Sequence, residues 1–170
     1  MNNKKELIKC TNHVLKLAEE VFKELGSGFK EDTLQQALAI SFRKSKVDYL
    51  RETHIEIFFK KESLGLLRLD FLLPAQRHKK WELLSPVIIE TKSANKLNND
   101  AYLQLKNYLL SLPRNESKEL RNIKDGILLN WKSNLDPNDK GLSGTEIELL
   151  SYRNKKLDFV YSSSETIINE

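Results

Sequence analysis

The chain has few of the residues that build disulfides and zinc sites, and it has no long apolar run. It contains one cysteine and three histidines in 170 residues. The single Cys10 excludes an internal disulfide and is typical of a reducing compartment. The histidines are scattered, with no second ligand at metal-binding spacing, which argues against a zinc site. No apolar run approaches the roughly 18 residues that span a membrane, and the N-terminus has no signal-peptide core. A cytoplasmic location is therefore the simplest expectation.

Common nucleotide-binding and hydrolase motifs are also missing. The sequence has no P-loop, no dinucleotide fingerprint and no Gly-x-Ser-x-Gly elbow. Its formal net charge is +4, from 28 basic and 24 acidic residues. That charge permits a polyanionic partner without requiring one. The length and the 39% hydrophobic content are those of one globular domain with a real core.

Two amphipathic helices are predicted at the start of the chain. Apolar residues recur at three- and four-residue spacing over residues 3–25, and Asn3 is a suitable N-cap. Gly26 ends this helix, and a second one is predicted from Glu31 to Lys44. Glu31 lies in the first turn, where the helix dipole favours an acid. Taken alone, Glu31 is more readily explained as a surface residue than as a ligand.

The periodicity then changes to that of β-strands. Residues 49–60 and 64–73 alternate as two strands of a hairpin. The apolar face of the second strand is predicted to consist of Leu67, Leu69, Phe71 and Leu73. Asp70 falls on the other face, together with Arg68. Because aspartate is disfavoured in strands, its presence there calls for a reason.

Residues 74–85 are predicted to form a loop with a basic cluster and one tryptophan. The cluster comprises Arg77, His78, Lys79, Lys80 and Trp81. Its cations could contact a phosphate backbone, and its indole ring could stack on a base. The same composition is also found in a solvated loop that is anchored by one aromatic residue, so both interpretations stay open.

An apolar strand is predicted over 87–92, and its end turns polar at Glu90-Thr91-Lys92. A helix to about Leu112 follows, and the next strand covers 126–131. A strand–helix–strand step of this kind requires a crossover connection. A hairpin is predicted at 145–161. The order of elements therefore predicts an α/β domain with a mixed central β-sheet flanked by helices.

The two acids and the lysine of this region could carry phosphodiester chemistry. Glu90 and Lys92 share one face of their strand, because side chains alternate along a strand. Magnesium bound by Asp70 and Glu90 would activate water and neutralise phosphate charge. Lys92 would then act as an electrostatic partner at the scissile phosphate. The alternative is an ordinary ion pair on a solvated sheet, and the residues alone favour it because Glu-x-Lys is common.

The order of motifs resembles the GxxExxY family of PD-(D/E)XK nuclease-like proteins over about residues 5–131. The matching segments, all quoted from this chain, are Gly26-x-Gly28-Phe29-x-Glu31, Ala37-Leu38, Arg68-Leu69-Asp70-Phe71, Ile88-Ile89-Glu90-Thr91-Lys92, Gln104-Leu105-Lys106-Asn107-Tyr108-Leu109 and Ile127-Leu128-Leu129-Asn130. Each motif is degenerate, but their number and order make the resemblance specific.

The resemblance implies a restriction-endonuclease-like core and a magnesium-dependent nuclease. It also implies a nucleic-acid substrate. We expect this substrate to be DNA rather than RNA, and we expect manganese to be able to replace magnesium. Asp70, Glu90 and Lys92 fall on the nuclease core, with Asp70 and Glu90 as metal ligands. Glu31 falls on the acid of the preceding helix, and Gln104 on the glutamine of the following one. Under this interpretation residues 1–170 form one domain, and the hairpin at 145–161 extends its core.

Two departures from the family pattern keep alternatives open. The family's tyrosine falls on Leu34, and the segments 74–85 and 113–125 are expanded. A catalytically inactive module of the same fold, binding nucleic acid or a protein partner, is therefore the alternative. A third hypothesis is a subunit of a homo-oligomer or larger complex, with Trp81, Trp131 and the C-terminal hairpin at its interface.

Overall fold

The computed structural model describes residues 1–135 and 143–164. The helices are α1 (Lys4–Leu25), α2 (Glu31–Lys44), α3 (Asn99–Ser111) and the short α4 (Lys118–Arg121). The strands are β1 (Leu50–Phe59), β2 (Glu62–Leu73), β3 (Gln76–His78), β4 (Trp81–Leu83), β5 (Val87–Ala94), β6 (Asp125–Lys132), β7 (Thr145–Arg153) and β8 (Lys156–Ser162). In the described ranges, no helix combines the length and apolar character needed to cross a bilayer.

Six of the strands form one mixed sheet in the order β1-β2-β5-β6-β7-β8. Strands β5 and β6 are parallel and are connected through α3, whereas the other neighbours are antiparallel. The predicted mixed sheet with flanking helices is therefore confirmed. The crossover places β5, the strand of Glu90 and Lys92, in the interior of the sheet.

The helices cover both faces of the sheet and bury two apolar clusters. On one face α1 and α2 pack against residues that include Phe71, Ile89 and Trp131. On the other face α3 packs, through residues such as Leu105, against Ile88. Burial on both faces explains why the sequence of β5 starts as a continuous apolar run.

Local sequence signals account for the first two helices. Asn3 accepts a hydrogen bond from the backbone amide of Lys5 (2.8 Å) and caps α1. Gly26 ends α1 with a φ of 76°, a conformation that favours glycine. Buried positions along α1 recur at the three- and four-residue spacing of its apolar stripe.

Strand β2 changes its packing side at Asp70. Leu69 packs in the cluster under α3, whereas Phe71, two residues later, packs under α1 and α2. The prediction that these residues share one face is therefore wrong. On β1, Arg51 pairs with Phe71 and Thr53 pairs with Leu69. Glu52, which lies between Arg51 and Thr53, has a φ of 54°, in the left-handed region. The hairpin is therefore irregular at this point, and its faces do not alternate simply.

The segment 74–85 is not a loop throughout, because it contains the two-stranded hairpin β3–β4. Trp81 is 2% exposed, and its Nε1 donates to His13 Nδ1 (3.1 Å). Trp131 is 1% exposed and donates to the Ala18 carbonyl oxygen (3.1 Å). A ring buried in this way cannot stack on a base or form an exposed interface. The roles predicted for Trp81 and Trp131 on the surface are therefore wrong.

Gly126 provides a test of the packing between β6 and α3. A Cβ atom at this position would lie 2.6 Å from Leu105 Cδ1 and 3.3 Å from Ile88 Cγ1. We expect Gly126→Ala to lower the free energy of unfolding by about 1–3 kcal/mol in a urea titration, because the packed core must shift. The double variant Gly126→Ala/Leu105→Val should show a favourable coupling energy. If the effects of Gly126→Ala and Leu105→Val on the free energy of unfolding simply add, the close contact between these two positions is contradicted.

His13 gives the fold a defined pH dependence. Burial, followed by the charge of Lys80, lowers the pKa of His13 to about 4. Between pH 6.5 and 4 the unfolded chain therefore binds more protons than the folded one, and folding weakens as the pH falls. We expect this group to contribute a loss on the order of 2–3 kcal/mol over that interval. His13→Gln, which keeps an acceptor for Trp81, should remove that part of the dependence in urea titrations at several pH values. An unchanged profile would show that His13 is not responsible.

Candidate active site

The site lies where β2 and β5 separate. Their ladder contains the pairs Phe71–Ile89, Leu72–Ile88 and Leu73–Val87, and it ends before Asp70. At this point the Asp70 side chain, instead of the backbone of β2, accepts the hydrogen bonds that β5 donates. Its Oδ2 accepts from the Thr91 amide (2.8 Å) and from the Thr91 hydroxyl (2.9 Å). This fork exposes an edge at which side chains from both strands can approach one ligand.

Glu90 and Lys92 lie on the same face of β5, as predicted, and the structure shows that this face points toward α3. Lys92 Nζ donates to Glu90 Oε1 (2.6 Å) and to Gln104 Oε1 (2.9 Å). The Glu90 side chain is 3% exposed, and that of Lys92 is 25% exposed. The ammonium group therefore connects the buried acid of β5 with the polar side of α3.

Glu90 is only partly neutralised by this ion pair. Its second oxygen, Oε2, is buried and has no hydrogen-bond partner in the described parts of the chain. Burial, and then the negative charge of Asp70, raise the pKa of Glu90 to about 7 despite Lys92. A buried carboxylate with a neighbouring acid is stabilised by additional positive charge. Glu90 therefore combines burial, a neighbouring acid and one oxygen without a partner among the described residues, and added positive charge would stabilise its ionised form.

Glu31 joins the same group from the first turn of α2. Its Oε2 accepts from the backbone amide of Ser93 (3.2 Å), which fixes the start of α2 against the end of β5. Burial raises the pKa of Glu31, Lys92 opposes this shift, and Asp70 adds to it. The structure therefore brings Glu31 into the electrostatic neighbourhood of the fork, although it lies far from it in sequence.

Gln104 is oriented by Tyr108, one helical turn further along α3. The Tyr108 hydroxyl donates to the Arg68 carbonyl oxygen (3.1 Å), so it can only accept from Gln104 Nε2 (2.6 Å). The amide oxygen of Gln104 must then point toward Lys92. Burial raises the pKa of Tyr108 to about 12, and the charge of Glu90 adds to this effect. Sequence reasoning quoted Tyr108 only as part of the segment 104–109 and gave it no role at the site, although its spacing of four residues from Gln104 was a usable signal.

A second polar chain supports Asp70 from the side of α2. Gln35 is 7% exposed, and its Nε2 donates to Thr91 Oγ1 (2.8 Å). Arg51 Nη2 in turn donates to Gln35 Oε1 (3.3 Å). The Thr91 hydroxyl is thereby directed to donate to Asp70. Sequence reasoning missed Gln35 and Arg51; the only signal was the place of Gln35 one turn after Glu31, on the buried side of α2.

The carboxylates of the fork fit a hard divalent cation in their chemistry. Among the described residues, no three His, Cys, Asp or Glu side chains are grouped closely enough to hold a metal. Two oxygens at the fork are nonetheless free: Glu90 Oε2, and Asp70 Oδ1, which accepts no hydrogen bond from the described residues. Magnesium needs only one or two protein carboxylates and retains several waters. The donor set therefore fits magnesium better than a metal that requires a closed cage.

The predicted basic residues lie elsewhere on the molecule. Arg77, Lys79 and Lys80 belong to the β3–β4 hairpin, which contacts the chain just after α2 through His78 Nε2 and the Ser45 carbonyl oxygen (3.1 Å). Glu31 is at the opposite end of this 14-residue helix. At 1.5 Å per residue, the helix is about 20 Å long. The structure therefore does not bring the basic residues of the hairpin to the fork.

Comparison with known families agrees with this arrangement. The family model of the PD-(D/E)XK nuclease superfamily matches residues 8–140. That range includes the three fork residues Asp70, Glu90 and Lys92. No significant match is found among curated proteins or among solved structures. The chain belongs to the PD-(D/E)XK nuclease superfamily, and its mixed sheet with flanking helices is a restriction-endonuclease-like fold.

Proposed function

We propose that the protein is a magnesium-dependent nuclease that hydrolyses phosphodiester bonds in DNA. Membership of the superfamily supports a nuclease-type function with a nucleic-acid substrate, and such nucleases generally depend on divalent metals. The observation that carries the proposal is the buried, unpartnered Glu90 Oε2 beside Asp70 and Lys92. A buried ion pair that serves stability is favourable only when further hydrogen bonds satisfy its remaining oxygen, and Glu90 Oε2 has none from the described residues.

In this proposal Asp70 and Glu90 hold Mg²⁺, and Mn²⁺ can substitute. When bound, the metal polarises the phosphate and lowers the pKa of a coordinated water. Thr91 keeps Asp70 Oδ2 occupied, so Oδ1 is the oxygen that remains for the cation. Glu31, fixed by the Ser93 amide, would orient a water at the same end of β5.

Lys92 would neutralise negative charge that develops on the scissile phosphate. Its ammonium group is held between Glu90 and Gln104, and Tyr108 fixes the amide orientation that makes this possible. Preorganised positive charge of this kind is among the largest contributions to catalysis, because no reorganisation is needed during the reaction. Gln104 would therefore act as a positioning residue for Lys92.

We also assign the chain to the GxxExxY group within the superfamily. Gly26 and Gly28 have φ values of 76° and 92°, which glycine tolerates best. They form the turn that leads α2 and Glu31 to the fork. Leu34, which stands where that group has tyrosine, is 2% exposed and packs in the core. Strand β7 pairs along the length of β6, so we regard the C-terminal hairpin as part of a single domain.

Metal binding can be tested without activity. We expect 10 mM Mg²⁺ or Mn²⁺ to raise the melting temperature of the wild-type protein by about 2–5 °C, because the cation binds the folded state only. Asp70→Asn and Glu90→Gln should lose this shift in differential scanning fluorimetry. Each variant keeps an oxygen acceptor for the present donors, so its fold should persist. A wild-type shift that survives in both variants would place the metal elsewhere, and no wild-type shift would favour the inactive module.

Catalysis can be tested with one site lysine and one nearby exposed lysine. We expect Lys92→Ala to reduce the cleavage rate of double- or single-stranded DNA in magnesium at least about 100-fold, because it removes fixed charge from the phosphate site. Lys96→Ala, at an exposed position four residues later, should cleave like the wild type. The readout is product formation on denaturing gels, with EDTA as the metal-free control. Equal rates for Lys92→Ala and the wild type, or no cleavage by either, would contradict the proposal.

A further inference from the structure

We propose that a second phosphate-binding region lies at the far end of α2 and contacts the backbone of the nucleic-acid substrate away from the cleavage point. This region, the basic groove, is lined by Lys44, Ser45, Lys46, Arg77, His78 and Lys79. It encloses about 400 Å³ between the end of α2 and the β3–β4 hairpin. Four of its six lining residues are permanent cations, and none is an acid.

The groove is preformed, because the hairpin is fixed to the body of the protein. Gln76 makes a reciprocal amide pair with the Asp48 backbone: Nε2 donates to the carbonyl (2.9 Å), and Oε1 accepts from the amide (2.9 Å). His78 Nδ1 accepts from the Lys80 amide (3.2 Å), so its Nε2 carries the proton donated to Ser45. Trp81, which directly follows the turn of the hairpin, is buried in the core. The cations thus stand on a rigid frame, which lowers the entropy cost of binding.

The positive charge of the groove exceeds what the fold explains. Arg77 is 3.7 Å from Glu82, but both side chains are exposed and the pair is weak. Within the described residues, Lys44, Lys46 and Lys79 have no acidic partner within ion-pair distance. The dipole of α2 accounts for a cation such as Lys44 at its C-terminus. It does not account for cations on a separate hairpin that is docked beside it.

The position of the groove suits a long polyanion that also reaches the fork. Helix α2 begins at Glu31 and ends at Lys44, so the two regions are separated by about 20 Å along its axis. The segment 33–42 between them contains no acidic residue that would repel phosphate. At 3.4 Å per base pair, this distance corresponds to about six base pairs of duplex. The assignment of this groove rests on the proposed function, because its ligand is the phosphodiester backbone of the nuclease substrate.

Binding can be measured separately from cleavage by fluorescence anisotropy in EDTA. The probe is a fluorescein-labelled 30-base-pair DNA duplex, titrated with the full chain in 50–200 mM NaCl. The test variant is Lys44→Gln/Lys46→Gln/Lys79→Gln. Its control is Lys60→Gln/Lys61→Gln/Lys118→Gln, which removes the same charge from exposed positions outside the groove. Each triple variant replaces at least one lysine with positive φ, namely Lys46 in the groove variant and Lys60 and Lys61 in the control. Any destabilisation that comes from such backbone positions therefore affects both variants.

We expect the groove variant to bind the duplex about tenfold or more weakly at the lowest salt. The slope of log K against log [NaCl] should become shallower by about 2–3, since each lost phosphate contact contributes about 0.9. The control variant should retain the wild-type slope to within about 1. Equal losses in the two variants, or no binding by the wild type, would overturn the proposal. Because cleavage is absent in EDTA, selective loss of binding supports the groove even if the nuclease assay fails.

Discussion

The separation of β2 from β5 at Asp70 is the constraint on which the rest of the site depends. If the ladder continued, the Thr91 amide would bond to the backbone of β2, and the Asp70 side chain would have no place beside it. Instead Asp70 accepts both hydrogen bonds of Thr91 and closes the fork with its carboxylate. The irregular hairpin opposite, with Glu52 in a left-handed conformation, allows β2 to change sides at this residue. One interruption of regular pairing thereby creates an edge with two acids.

The negative charges at this fork are only partly neutralised by Lys92. Glu90 is nearly inaccessible to water, yet Lys92 satisfies only one of its oxygens. The nearby negative charges of Asp70 and Glu31 raise the pKa of Glu90 further. A protein that used Glu90 only for stability could gain by replacing this buried acid with an apolar residue. An acid whose pKa is raised by burial and by a neighbouring carboxylate is a pattern that functional sites commonly show.

Local sequence signals predicted the elements well but predicted their contacts poorly. Helix α2 runs from Glu31 to Lys44 as expected, because a glycine turn and an apolar stripe mark it in the sequence. The β3–β4 hairpin was missed because strands of three residues are too short to show a period of two. The support of Asp70 by Gln35 depends on how α2 packs against β5, and no local pattern encodes such a contact. Asp70, Glu90 and Lys92 could be selected because strand ends and alternation are local properties.

Soaking crystals of the protein with Mn²⁺ tests the central claim most directly. We expect anomalous density between Asp70 and Glu90, with Glu90 Oε2 and an oxygen of Asp70 as ligands at about 2.0–2.3 Å. Asp70→Asn should abolish that density in the same crystal form. A fork without manganese, in which Lys92 and Glu90 remain paired as in this structure, would contradict the assignment of these residues as a metal-dependent nuclease site.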